Sequence, residues 1–104
     1  MVGYQQGDVI LVRLDKFPDG VKKRKASERG QVLAEGEVSG HAHVLPTEVP
    51  VFVREDGTLY VQTDTPVELV HEEHHVQTIA PGIYEVRKVR EVDPFTDEIR
   101  AVQD

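Results

Sequence analysis

The chain has 104 residues, carries 12 Lys+Arg against 19 Asp+Glu, and contains neither Cys nor Trp. That length supports one domain spanning 1–104, and 38% hydrophobic with 30% charged residues is the composition of an ordinary soluble globular protein. The net charge of −7 argues against a main task of holding nucleic acid or anionic membrane, while zero Cys excludes disulfides, thiolate zinc sites, iron–sulfur clusters and a Cys nucleophile.

The opening residues Met1–Asp8 lack the basic and long apolar regions of a secretory signal. The longest aliphatic run, Val9-Ile10-Leu11-Val12, falls far short of the roughly 20 residues that cross a bilayer. A cytoplasmic location with no membrane partner is the expectation.

Valine dominates, with eighteen against six Leu and five Ala. Such β-branched residues suit a pleated, half-buried surface and lose rotamer freedom in a helix. In chain order, Asp8–Leu14 reads as a strand buried on both faces, ended by the Phe17-Pro18-Asp19-Gly20 turn. Lys22-Lys23-Arg24-Lys25 through Arg29 reads as an exposed basic loop with at most one helical turn.

Gln31–Val38 reads as a strand with Val32, Ala34 and Val38 on one face and a bend at Gly36. His41–Leu45 follows, stopped by Pro46. Val51–Arg54 and Thr58–Gln62 flank Glu55-Asp56-Gly57, where Asp-Gly is a strong hairpin signal. Val67–His71 and Ile83–Val92 are further strands, the second with a bulge near Val89, and Ile99–Val102 is a candidate edge strand. About eight short strands at this spacing predict an all-β fold, either a small β-barrel or a two-sheet β-roll.

The five histidines fall in two windows, His41/His43 and His71/His74/His75. On a strand, side chains at i and i+2 share a face about 7 Å apart, so His41 and His43 can converge on one ion. Gly40 beside them adds no side chain. Taken alone, the pattern also fits two exposed histidines on a solvated face.

In Leu69-Val70-His71-Glu72-Glu73-His74-His75, strict alternation groups His71, Glu73 and His75. A bulge or turn would instead bring His71 and His74 together. A polar hairpin turn with solvated glutamates is the plain alternative. Adjacent Glu72 and Glu73 face opposite ways on a strand, so only one reaches the site. Glu73 is taken as the general base or ligand, and Glu72 as solvated.

The motifs Gly7-Asp8-Val9, Gly40-His41-Ala42-His43, His71-Glu72-Glu73-His74 and Pro81-Gly82-Ile83-Tyr84 give the chain a family likeness. It resembles a group of small uncharacterised bacterial and phage proteins that share these four motifs. That resemblance implies His74 rather than His75 as the partner of His71, and it brings no reaction with it. A second likeness is to cupins, β-rolls with His-x-His followed by Glu, onto which Gly36, His41, His43 and Glu48 nearly fit.

The expectation is a metal-dependent enzyme of hydrolase or lyase type. His41, His43, His71 and His74 are its ligands, and Glu73 handles the proton of a metal-bound water. One divalent transition metal suits such donors, zinc first, with Fe, Mn or Ni as alternatives. The partner is a small-molecule substrate, with a homo-oligomer as a further possibility. Three rivals stand beside this reading: a non-catalytic metal-stabilised assembly module, a cupin-like Fe or Mn oxygenase or isomerase, and a nucleic-acid or phosphate binder using Lys22–Lys25.

Overall fold

A computed structural model of the protein describes residues 3–89. Ten short strands follow one another: β1 (Gly3–Gln6), β2 (Val9–Leu14), β3 (Val21–Arg24), β4 (Gln31–Glu35) and β5 (Ala42–Leu45), then β6 (Val51–Arg54), β7 (Leu59–Thr63), β8 (Val67–His71), β9 (His74–Ile79) and β10 (Gly82–Lys88). They form a six-stranded sheet, β1-β2-β10-β7-β6-β3, and a four-stranded sheet, β4-β5-β8-β9. Pairing is antiparallel throughout. The sheets do not close on one another, so the β-roll alternative holds and the barrel does not.

The core explains why the sheets stack. Val9, Leu11, Val51, Val61 and Tyr84 from the larger sheet meet Leu33, Leu45, Leu69 and Ile79 from the smaller one in a single buried cluster. Each such aliphatic side chain contributes about 1.5–3 kcal/mol when withdrawn from water. Ile10 and Val12 point the other way and form a separate buried pair. The continuous Val9–Val12 run is thus buried on both faces, as its lack of alternation predicts.

Several local expectations are corrected. The stretch Lys22–Arg24 is not a loop but most of β3, the edge strand paired with β6. Its exposed Lys22 and Lys23 hide the apolar period, and edge lysines of this kind oppose edge-to-edge association. Arg24 leaves the basic run altogether, donating to Gln31 Oε1 (3.1 Å) and to the Val32 carbonyl (2.8 Å).

Strand β4 ends at Glu35 rather than Val38, because Gly36–Gly40 closes into a turn through Gly36 N–H to His41 O (2.9 Å) and Gly40 N–H to Gly36 O (3.0 Å). Val38 lies fully exposed on that turn. Leu33 joins the core beside a register shift between Val32 and Ala34, and the half-buried Ala34 packs against that same cluster.

Besides β3, two further strands escape the sequence pattern, β1 and β9, so the described residues hold ten strands where seven were expected. The last strand stops at Lys88, with Val89 N–H donating to the Asp8 carbonyl at 2.8 Å. The segments expected at 90–92 and 99–102 lie outside the described residues. The Glu55-Asp56-Gly57 hairpin forms as read: Gly57 takes φ +91°, and Asp56 Oδ1 accepts the Thr58 N–H at 2.9 Å. No helix among the described residues is long and apolar enough to cross a membrane.

Candidate functional site

The two histidine windows meet. His43 lies on β5 and His41 just before it, while His71 ends β8 and His74 begins β9 across a two-residue turn. Ring centroids are 4.3 Å apart for His43–His71, 4.6 Å for His71–His74, 5.8 Å for His43–His74 and 5.9 Å for His41–His71. All four line a cavity of about 530 Å³, shared with Asp8, Glu73, Lys88 and the turn that carries Val38.

A register shift after the turn lets three steps on β9 oppose two on β8, which separates His75 from His74. The structure thus joins His74 to His71, and His75 is exposed.

His43 is 4% exposed, and its orientation is fixed from behind. The side-chain amide of the fully buried Gln6 donates to the Leu69 carbonyl (2.8 Å) and the His75 carbonyl (2.9 Å). Two backbone acceptors therefore dictate which end of that amide is nitrogen. Gln6 Oε1 then faces His43 Nδ1 at 2.9 Å, so Nδ1 carries the ring proton and Nε2 keeps its lone pair. That Nε2 looks into the cavity at Asp8 Oδ1, 3.4 Å away. Burial, and then the neighbouring His71, push the His43 pKa down to about 4, so the ring is neutral at pH 7.

His71 is set the opposite way. Its Nδ1 accepts the backbone N–H of Glu73 at 3.0 Å, and so a neutral ring carries its proton on Nε2. His41 Nδ1 lies 3.1 Å from Glu73 Oε1, a close approach whose angle does not make a hydrogen bond; this buried nitrogen has none. His74 rests on Gly7, where an added Cβ would stand 2.5 Å from its Nε2.

Glu73 lines the cavity, as expected, and Glu72 does not. Yet Glu72 is no solvated bystander. Its Oε1 accepts the Ala42 N–H (3.0 Å) and its Oε2 meets Arg29 Nη2 (3.3 Å). The Ala42 bond, ahead of the Arg29 charge, holds its carboxyl below the usual range. Arg29 is likewise no extension of a basic patch, since it also binds Glu35 Oε2 and the Gly40 carbonyl, each at 3.1 Å.

As they stand, no three His, Asp or Glu side chains among the described residues are arranged to hold a metal ion. Two of the rings are engaged elsewhere: the bond from Glu73 places the His71 proton on Nε2, and His74 Nε2 packs on Gly7. Glu48, the residue a cupin would need, borders a different cavity beside Pro50 and Asp64, so the cupin likeness gains no support.

A family described as a domain of unknown function, DUF8820, matches residues 5–89. The chain belongs to that family. All four motifs, from Gly7-Asp8-Val9 to Pro81-Gly82-Ile83-Tyr84, fall inside the DUF8820 stretch, as do all the cavity residues named above. No curated protein and no solved structure matches the chain. Sequence reasoning missed three residues around this cavity, Gln6, Asp8 and Arg29. Only Asp8 carried a signal, its place in the Gly-Asp-Val motif.

Proposed function

We propose that the cavity binds a divalent transition metal, with His43 Nε2 and Asp8 Oδ1 as its first two ligands. One observation carries the reading: a nitrogen lone pair and a carboxylate oxygen face each other at 3.4 Å. Two acceptors so placed repel unless a proton or a metal cation lies between them, and burial of the ring disfavours the proton. Around a tetrahedral ion with bonds of about 2.1 Å, ligand atoms are separated by about 3.4 Å. His41 Nδ1 and Glu73 Oε1, at 3.1 Å, have a similar spacing.

Rotation of the His71 and His74 rings, together with His41, completes the set, since their centroids already lie 4.3–5.9 Å from their neighbours. Imidazole with carboxylate suits zinc, and also Fe, Mn or Ni. Such an ion would lower the pKa of a bound water toward about 7, the chemistry of hydrolysis or hydration. Glu73 borders the cavity, where it would accept the proton. The volume of about 530 Å³ falls within the roughly 300–1,000 Å³ of small-molecule sites.

The test is calorimetric titration of metal-free protein with Zn²⁺, Fe²⁺, Mn²⁺ and Ni²⁺, beside His43→Ala and the more exposed Asp8→Asn. One equivalent bound by wild type and weakened in both variants is expected. Failure of wild type to bind any of the four ions overturns the reading.

A further inference from the structure

The segment that carries His41 and His43 is barely paired to the hairpin that carries His71 and His74. Between β5 and β8 the register contains one residue pair, Val44↔Val70. Beyond it, toward the cavity, a side chain replaces the missing ladder. Ala42 sits between His41 and His43, and its N–H is accepted by Glu72, which sits between His71 and Glu73. Alternate residues on each segment therefore face the cavity, and the ones between them tie the segments together.

Arg29 extends this tie. One guanidinium binds Glu72 on the hairpin, Glu35 at the end of β4, and the carbonyl of Gly40 beside His41. Its own backbone is held by an N–H bond to Ser27 Oγ at 3.2 Å. Glu35, Glu72 and Arg29 are about half exposed, and exposed ion pairs add little to global stability. What the arrangement supplies is alignment.

We propose that Glu72 and Arg29 are positioning residues, which hold the His41/His43 strand in register with the His71/His74 hairpin. The affinity consequence rests on the metal reading above; the geometric one does not. Groups that orient metal ligands typically change affinity by about 10–100-fold when removed.

The experiment uses the full chain with Glu72→Ala, Glu72→Gln and Arg29→Met. Zn²⁺ affinity, the visible absorption of bound Co²⁺ and the ring ¹⁵N resonances of the metal-free protein are read together. Glu72→Ala and Arg29→Met should weaken Zn²⁺ binding by about 10–100-fold and alter the Co²⁺ band, in protein that remains folded at the titration temperature. Glu72→Gln keeps an oxygen for the Ala42 N–H but presents its NH2 to Arg29, so it should fall between wild type and Glu72→Ala. The His41 and His71 resonances should move further in Glu72→Ala than in Glu72→Gln.

Wild-type affinity and spectra in Glu72→Ala overturn the proposal, as does a loss matched by unfolding. If wild type binds no metal, the metal reading falls and the ring resonances alone decide: unchanged positions in Glu72→Ala then overturn this inference too.

Discussion

Gly7 and His74 are in direct contact: the imidazole Nε2 occupies the space that a Cβ at position 7 would need, 2.5 Å away. Gly7 also holds φ +57°, in the left-handed region. Gly7→Ala should therefore act twice. The backbone conformation costs about 1–2 kcal/mol for a residue with a side chain. The His74 ring must also leave its position beside His43 and His71. A denaturation midpoint lowered by that amount, together with shifted His74 ring resonances, is the expected outcome; an unchanged His74 spectrum refutes the contact.

Gln6 supplies the second prediction. Replacing it with Leu removes a donor from the Leu69 and His75 carbonyls and an acceptor from His43 Nδ1. Each buried group left unsatisfied costs about 1–3 kcal/mol. Urea unfolding should show a loss of at least one such increment. The ¹⁵N shifts of His43 should move from a pure Nδ1–H tautomer toward a mixture. Retention of the pure tautomer shows that something other than Gln6 orients the ring.

A third prediction concerns pH. The folded-state pKa of His43, about 4, lies below its ordinary value of 6.5. Between those values the unfolded chain binds more protons than the folded one, so stability rises with pH in that window. The contribution of His43 to metal-free protein is therefore complete above about pH 6.5 and is lost as pH falls toward 4. Denaturant midpoints of wild type and His43→Gln across that range should converge at the acid end. Parallel curves exclude His43 as the source.

A fourth contrast separates core from rim. Leu69 is fully buried between the sheets, and Leu69→Ala should cost about 2–5 kcal/mol. Val38 is fully exposed on the turn at the cavity mouth, so Val38→Ser should change stability by no more than about 0.5 kcal/mol. Chemical denaturation of the two variants checks both.

How much of this was legible depends on the range over which each signal acts. His41 and His43 share the cavity because strand geometry sets a two-residue period, which spacing alone reveals. The pairing of His71 with His74 needed a turn and a bulge, and these were one of two open alternatives. β3 was invisible because an edge strand under solvent needs no apolar period, so Lys22 and Lys23 resembled a loop. Gln6 and Arg29 act through contacts across 37 to 69 and 43 positions of chain, and nothing local to either residue announces them. Glu72 was misjudged for the same reason: its partner Ala42 lies 30 residues away.

The long reach of Gln6 has a consequence for how the cavity comes into being. One side chain near the start of the chain joins positions 43, 69 and 75, so no contiguous fragment shorter than 6–75 contains this junction. A peptide spanning β8 and β9 would hold His71 and His74 without the ring that Gln6 orients. Contacts between such distant positions require the long loops between them to close, at an entropic cost. The histidine cavity therefore needs the first strand in place, and its ring spectra report whether that strand has docked.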